Sequence, residues 1–289
     1  MTPPRPIQAR LFDPARRAAR LERSRPLFAG ADFLHRRAAL GLVESLEAIL
    51  RDFPAVVDLS PHPRAFAEAL AASDAAGRVG SPRTVAAPMG PEDLELEPAS
   101  VDLIVSVLGL QWVEDLPGLM VRARRALKPD GLFLAALLGG STLTELRQAL
   151  TAAELEITDG AATRVSPFAD GFDGAALLQR AGLALPVCDV DRVTVRYGDP
   201  IALMKDLRAM GETAVPTGPV RPLRRDVLLR AAQIYAERFA DADGKLTATF
   251  EIVTLSGWAP HEGQQRPLSR GSATVRLADA LGVVEHKGE

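Results

Sequence analysis

An alternation of short apolar runs with amphipathic stretches is the feature that most constrains how this chain can fold. Residues 35–52 place leucine, valine and isoleucine at helical spacing, and the β-branched run AVVDL that follows ends at Asp58. Residues 100–108 and 132–138 are two further apolar runs with helical patterns around them. Because buried strands that alternate with helices form parallel sheets, this order predicts an α/β fold with a doubly wound sheet.

The segments between these runs carry helix and turn signals. Residues 63–75 and 114–128 have helical patterns, and the second ends at the turn sequence KPDG. A further helix is predicted to open at Ser141 or Thr142, with Glu145 as the partner of Thr142 in a capping box.

The pattern changes beyond residue 186. Residues 189–199 and 247–258 alternate polar and apolar side chains, which is typical of antiparallel strands with one solvated face. Helical stretches at 199–211 and 223–240 lie between them. The sequence therefore predicts one mainly parallel sheet that is closed by a late antiparallel strand pair.

Composition excludes several classes of protein. The 289 residues are 47% hydrophobic and 25% charged, as in soluble globular domains, and the formal net charge of −3 gives no reason to expect a nucleic acid partner. Cys188 is the only cysteine, so the chain has no internal disulfide and no cysteine-based metal site. No apolar run approaches the length of a transmembrane helix. These features favour a reducing, cytoplasmic location.

Positive charge is concentrated near the N-terminus, where residues 1–38 contain nine arginines. Such a segment is suited to an acidic partner, a membrane surface or, more simply, a solvated helix face. We divide the chain into a basic arm (1–34), a main domain (35–275) with a helical insertion (199–240), and a tail (276–289).

The block from Val101 to Leu150, VDLIVSVLGLQWVEDLPGLM followed by VRARRALKPDGLFLAALLGGSTLTELRQAL, resembles class I S-adenosylmethionine-dependent methyltransferases. It corresponds to the fourth strand, the next helix and the fifth strand of that Rossmann-like fold. Within the superfamily, LGLQWVEDLP and GGSTLTELR resemble two families. One is the malonyl-carrier-protein methyltransferase of biotin synthesis; the other is the methyltransferase-like assembly factor of respiratory complex I, which hydroxylates an arginine.

The rest of the chain resembles the assembly-factor family more closely. The similar segments are LFDPARRAARLERSR, SPFAD (166–170), LLQRAG (177–182), ALMKDLRAMGE (202–212) and GWAPHEGQQRPLSRGSATV (257–275). Together they extend over roughly residues 11–275, whereas the biotin-pathway resemblance covers the sheet core. The resemblance implies a protein partner, a complex I subunit, and contact with the membrane periphery.

The chain departs from the methyltransferase pattern where the cofactor loop is expected. In that fold, the first strand ends in a carboxylate and a glycine-rich turn follows, but here Asp58 precedes Ser60, Pro61, His62 and Pro63. Proline fixes φ and removes a backbone donor. Residues 75–87 also contain no Asp or Glu to bind the ribose hydroxyls. The sequence therefore predicts that S-adenosylmethionine binding is weakened or lost.

Six residues remain candidates for a cofactor site because they follow the first and fourth strands of the resembled fold: Asp58, Leu59, Ser60, Leu108, Gln111 and Trp112. Asp58 either orients the cofactor amino group or caps the turn. Gln111 and Trp112 either line a pocket or serve as a surface amide and a packing anchor. No catalytic residue is assigned.

Other polar residues favour simpler interpretations. His62 is predicted to be an exposed loop histidine. His261 and Glu262 are adjacent and lack further ligands, so no metal site is predicted. Arg266 and Arg270 are expected in a loop, either contacting an acidic partner or solvated.

Three functions remain open. The first is an assembly factor of respiratory NADH dehydrogenase that acts on a protein side chain. The second is an active methyltransferase that uses a small molecule or a malonyl carrier protein. The third is a pseudoenzyme that binds a protein partner. The oligomeric state is not predicted.

Overall fold

The computed structural model describes residues 10–158, 160–168 and 174–265, together with the single residues 272, 275, 279 and 282. The helices are α1 Pro14–Ser24, α2 Phe33–Glu47, α3 Arg64–Ala71, α4 Leu116–Ala126, α5 Thr144–Ile157, α6 Gly174–Arg180, α7 Pro200–Met210 and α8 Arg225–Phe239. The strands are β1 Val56–Asp58, β2 Arg83–Thr84, β3 Val101–Val107, β4 Leu127–Leu138, β5 Ala184–Tyr197 and β6 Leu246–Trp258. Arg266 and Arg270 lie outside the described residues.

The strands form one sheet in the order β2-β1-β3-β4-β6-β5. β2, β1, β3 and β4 are parallel, and β6 is antiparallel to both β4 and β5. Chain order reverses between β1 and β3, because β2 lies on one side of β1 and β3 on the other. The predicted α/β fold, a doubly wound and mainly parallel sheet closed by an antiparallel pair, is confirmed.

The two faces of the sheet support two hydrophobic cores. Leu103, Val105 and Val107 of β3 contribute to the larger core, which also contains side chains of α2, α3, α5 and α8. Ile104, on the opposite face, contributes to a second core with α4 and α6. All seven residues of β3 are buried. A strand that is covered on both sides is expected to be largely apolar, and five of the seven residues are, the exceptions being Asp102 and Ser106.

The antiparallel pair ends the sheet. Val190 of β5 pairs with Val253 of β6, and the register continues to Tyr197 opposite Leu246. β5 alternates half-buried with exposed residues, as expected of a strand at the sheet edge. α7 and α8 lie between β5 and β6 in the chain.

Two local predictions were wrong. KPDG lies inside β4 as an irregular segment with Asp130 at φ 64°, rather than in a turn before the strand. The capping box does not form, because the Thr142 hydroxyl accepts from Glu251 N (3.1 Å) and Glu145 accepts from Thr249 N (3.0 Å). Tertiary contacts with β6 thus replace the local cap.

Within the described part of the chain, no helix combines the length and the apolar character needed to cross a membrane.

Candidate functional site

The carboxyl ends of β1 and β3 meet at the point where the strand order reverses, which is where open α/β sheets bind ligands. The six residues predicted for a cofactor site follow these two strand ends. All are buried, with at most 6% of their surface exposed: Asp58, Leu59, Ser60, Leu108, Gln111 and Trp112. Contacts with other parts of the protein therefore cover the edge that the sequence singled out.

Asp58 closes the turn that follows β1. Its Oδ1 accepts from the backbone N–H of Ser60 at 2.8 Å and also from the Ser60 hydroxyl. The Ser60 hydroxyl oxygen in turn accepts from Val107 N at 2.8 Å, which links this turn to the end of β3. Burial raises the pKa of Asp58, and the two hydrogen bonds from Ser60 oppose that effect. Of the two roles considered for Asp58, the structure shows the turn cap.

The proline-containing turn packs closely against the loop after β3. A β carbon added to Gly109 would lie 3.0 Å from Pro61 Cδ, 3.0 Å from Ser106 Oγ and 3.2 Å from Leu59 O. Glycine at position 109 permits this close approach, because any side chain there would require its neighbours to shift. The buried hydroxyl of Ser106 has no hydrogen-bond partner among the described atoms.

A 3₁₀ turn at Leu110–Trp112 directs Gln111 and Trp112 into the protein. Gln111 Nε2 donates to Leu108 O at 2.9 Å and to Glu212 Oε2 at 3.0 Å. Trp112 Nε1 donates to the same Glu212 oxygen at 3.1 Å. The surface-amide interpretation of Gln111 was wrong, because the side chain is buried and hydrogen-bonded to the Glu212 carboxylate. Trp112 is the packing anchor that the sequence allowed.

Glu212 is the central acceptor of this site and is not among the residues predicted from the sequence. It follows Gly211, which ends α7 with φ 79°, a conformation that favours glycine. Its second oxygen, Oε1, accepts from Arg17 Nη2 at 3.0 Å. The one available signal was its place at the end of ALMKDLRAMGE, a segment of the family resemblance.

Arg17, on α1, is the buried cation of the site. Its guanidinium donates to Gly211 O and Glu212, and its Cζ lies 4.5 Å from the ring centroid of Trp112. Burial lowers the pKa of Arg17, while the Glu212 charge and hydrogen bond raise it. Phe12 also contacts the Trp112 ring edge-on at 5.3 Å between centroids. The N-terminal segment therefore lies across the carboxyl edge.

His62 is buried, so the prediction of an exposed loop histidine was wrong. Its ring stacks on Phe28 with 3.7 Å between centroids, and Nε2 is 3.2 Å from Met210 O. His35 of α2 packs edge-on against His62 at 5.2 Å, and neither of its ring nitrogens has a hydrogen-bond partner among the described atoms. Burial lowers the pKa of His62 to about 4 and that of His35 well below 6.5.

The edge that would face a ribose lacks a carboxylate. β2 consists of Arg83 and Thr84, both exposed, and the next acidic residues are Glu92 and Asp93 in a 3₁₀ turn. Asp93 accepts from Met89 N and Gly90 N at 2.8 Å and 3.0 Å, so it holds its own loop.

Across the described ranges, three or more His, Cys, Asp or Glu side chains are nowhere grouped as a metal ion would need. His261 and Glu262 are both exposed, and His261 Nδ1 accepts from Gly263 N at 3.1 Å.

Comparison with known families finds a match over residues 41–135 to a family described as "Methyltransferase domain". The matched range runs from α2 to β4, and so includes β1, β3 and the six predicted residues that follow them.

Curated relatives extend the similarity. The chain is 42% identical over 188 residues to "Arginine-hydroxylase NDUFAF5, mitochondrial" of Danio rerio, covering 65% of this chain and 59% of that protein. It is 41% identical over 195 residues to the Homo sapiens protein of the same name, covering 68% and 56%. A "Malonyl-[acyl-carrier protein] O-methyltransferase" of Laribacter hongkongensis is 36% identical over 186 residues, covering 64% and 60%. The predicted resemblance to both groups is confirmed, and the chain spans less than two thirds of these relatives' length.

Solved structures give weaker likenesses. The YcgJ protein of Bacillus subtilis aligns with a TM-score of 0.45 and 13% identity, over 77% of this chain and 98% of that one. A phosphoethanolamine N-methyltransferase of Haemonchus contortus aligns with a TM-score of 0.39 and 15% identity, over 78% and 53%.

Proposed function

We propose that this chain is a methyltransferase-like protein that assists assembly of respiratory NADH dehydrogenase by acting on a side chain of one of its subunits. The support is the 41–42% identity to proteins named arginine-hydroxylase, compared with 36% to the malonyl-carrier-protein methyltransferase. By analogy with those names, the proposed target is an arginine side chain.

The observation that carries the proposal is the guanidinium site at the carboxyl edge. Glu212, the carbonyl of Gly211 and the face of Trp112 surround the Arg17 guanidinium. A carboxylate, a carbonyl and an aromatic face are the groups that a guanidinium binds best. An edge with this composition is suited to an arginine side chain from a partner protein, which would take the place of Arg17.

The residues around this site would orient the bound group. Gln111 and Trp112 both donate to Glu212 Oε2, which leaves Oε1 directed at the guanidinium. Ser60 ties the β1 turn to β3 and keeps the floor of the site rigid. In the proposed function these side chains bind and position the target arginine.

We further propose that S-adenosylmethionine binding is weakened or lost. The six candidate residues are buried in contacts within the protein, and the turn after β1 contains two prolines in place of glycines. The exposed strand β2 brings no carboxylate for a ribose. The buried candidate residues, the two prolines and the missing carboxylate support this proposal.

Calorimetric titration with S-adenosylmethionine tests the cofactor proposal. Each missing charge-assisted contact costs about 1.5–3 kcal/mol, so two such losses predict a Kd weaker by roughly two to four orders of magnitude than that of an intact site. Heat of binding with a low-micromolar Kd would contradict the proposal.

Deletion of the gene in its source organism tests the assembly proposal. We expect membranes with reduced NADH dehydrogenase activity and an incomplete complex on native gels. Wild-type protein and the surface variant Glu92→Gln should restore assembly, whereas Glu212→Gln should not. Full assembly in the deletion strain would overturn the proposal. Fractionation should place the protein in the cytoplasm and at the inner membrane surface, the location that we propose for it.

The second candidate is methyl transfer to a malonyl carrier protein, which the 36% identity to such an enzyme favours. Transfer of a labelled methyl group to malonyl carrier protein, dependent on S-adenosylmethionine, would establish it in place of the first.

A further inference from the structure

A cavity of about 270 Å³ lies beside the guanidinium site, between α5, α7 and the segments around residues 163–168 and 212–223. Its walls are largely aliphatic. They include Leu143, which immediately precedes α5, Leu146 and Leu150 on one face of α5, and Leu207 of α7, all of them buried. A cavity with these walls accepts an apolar chain.

Three arginines also line this cavity: Arg20, Arg164 and Arg208. Arg164 is neutralised, because its Nε donates to Glu154 Oε1 at 2.9 Å. Arg20 and Arg208 differ from Arg164 in this respect. Among the residues that the structure describes, no carboxylate pairs with either guanidinium. Glu212, the acidic residue of the lining, is already bonded to Arg17, Gln111 and Trp112.

The positive charges repel one another. The pKa of Arg20 is lowered first by burial and then by the nearby charges of Arg23, Arg208 and Arg16. Arg16 is paired with Asp13, but no carboxylate of the described residues balances Arg20 or Arg208. An anion bound between these two guanidinium groups would be attracted by both.

We propose that this cavity binds a small amphiphile, with an unbranched aliphatic chain against the leucines of α5 and α7 and an anionic head group between Arg20 and Arg208. The charge pattern excludes a cationic head group, and the small volume favours a single chain over a folded protein segment. The inference does not rest on the proposed function, because it requires neither a target arginine nor a partner subunit.

The probes are hexanoate, octanoate and decanoate, with octylamine and octanol as ligands of equal chain length and different head group. Binding to the full chain is measured by calorimetry below the micelle concentration of each probe. Each methylene that enters the cavity should tighten binding about fourfold until the cavity is full. We expect octanoate to bind at least tenfold more tightly than octylamine. Equal binding of the two, or affinity independent of chain length, would overturn the proposal.

Variants separate the two parts of the site. Arg20→Ala with Arg208→Ala should weaken octanoate about tenfold or more and leave octanol unchanged. The matched control, Arg122→Ala with Arg225→Ala, removes the same charge from exposed arginines outside the cavity and should change neither. Leu223→Trp, which fills the cavity from a half-buried position, should abolish binding of both probes.

Folding of each variant is checked by its urea midpoint. If Leu223→Trp does not fold, Met204→Trp on the α7 wall replaces it. Unchanged octanoate affinity in both the double arginine variant and a folded tryptophan variant would place the binding elsewhere and refute the site.

Discussion

Two neighbouring regions of the carboxyl edge share Glu212 and differ in how their charges are balanced. In the first region, under α1, Arg17 is buried and its guanidinium is paired. In the second, the cavity between α5 and α7, Arg20 and Arg208 have no acidic partner among the described residues. In this structure Arg17 occupies the first region and balances Glu212, whereas the second region contains two arginines that no carboxylate of the described residues balances.

Two arginines of α1 show the same difference between the two regions. Arg17 and Arg20 are three positions apart on α1, a spacing that places side chains on neighbouring parts of the same face. One guanidinium contributes to the closed region and the other reaches the cavity. The arginines of the N-terminal segment therefore have two roles, one in the buried ion pair with Glu212 and one in lining the cavity.

The largest expected effect is that of removing Glu212. Glu212→Ala leaves the buried Arg17 without its partner and takes the acceptor from Gln111 and Trp112. Breaking a buried pair in this way costs about 3–5 kcal/mol, measured as the free energy of unfolding in urea.

The control is Glu92→Ala, which removes the exposed partner of Arg10 and should cost less than about 1 kcal/mol. Similar losses for the two variants would show that the region under α1 is not closed in solution.

The next effect is on the pH dependence of stability. The pKa of His62 is about 4 in the folded protein and about 6.5 when unfolded, so the unfolded chain binds more protons between these values. The contribution of His62 to the unfolding free energy is therefore fully present above pH 6.5 and is lost as the pH falls, about 3 kcal/mol of it by pH 4. The lowered pKa of His35 acts in the same direction.

His62→Phe keeps the stack on Phe28 and removes the titrating group. The difference in unfolding free energy between pH 7 and pH 4.5 should shrink by about 2 kcal/mol. His261→Asn, at an exposed position, should leave the difference unchanged. If His62→Phe also leaves it unchanged, His62 is not buried by Phe28 in solution.

The strands of the sheet were predictable from the sequence, whereas the contacts at its carboxyl edge were not. The later part of β4 is entirely apolar and β3 is largely so, because both faces of each strand are covered, and that condition is visible in the residues themselves. The alternation in β5 likewise reports one open face. The alternation of strands with helices then indicates parallel neighbours, since parallel strands need a crossover between them.

The edge contacts were not predictable in this way. The ring of His62 is covered by Phe28, and the buried Gln111 donates a hydrogen bond to Glu212, which lies 101 positions away in the chain. A local pattern marks a histidine between prolines as a turn but does not show which segment covers it. Arg17 was visible only as one of many arginines, because its burial depends on the packing of α1 against α7.

A smaller effect is expected from Trp112→Phe. The change removes the N–H that donates to Glu212 but keeps an aromatic face beneath Arg17. One lost hydrogen bond to a buried carboxylate predicts a cost of about 1–2 kcal/mol in urea unfolding. Trp258 lies at the end of β6, and Trp258→Phe is the control for the general cost of replacing a tryptophan. A loss above 3 kcal/mol would mean that Trp112 acts mainly through packing.

The smallest effect is that of Arg20→Ala, and it distinguishes the two regions most directly. Arg20 has no acidic partner within the described part of the chain and lies near Arg16, Arg23 and Arg208. Its removal therefore relieves repulsion but loses some packing of the aliphatic stem. We expect the unfolding free energy to change by less than about 0.5 kcal/mol. Arg17→Ala on the same helix should cost about 3 kcal/mol or more, because it leaves Glu212 buried without its cation. If Arg20→Ala is as costly as Arg17→Ala, Arg20 is paired in solution and the cavity needs no anion.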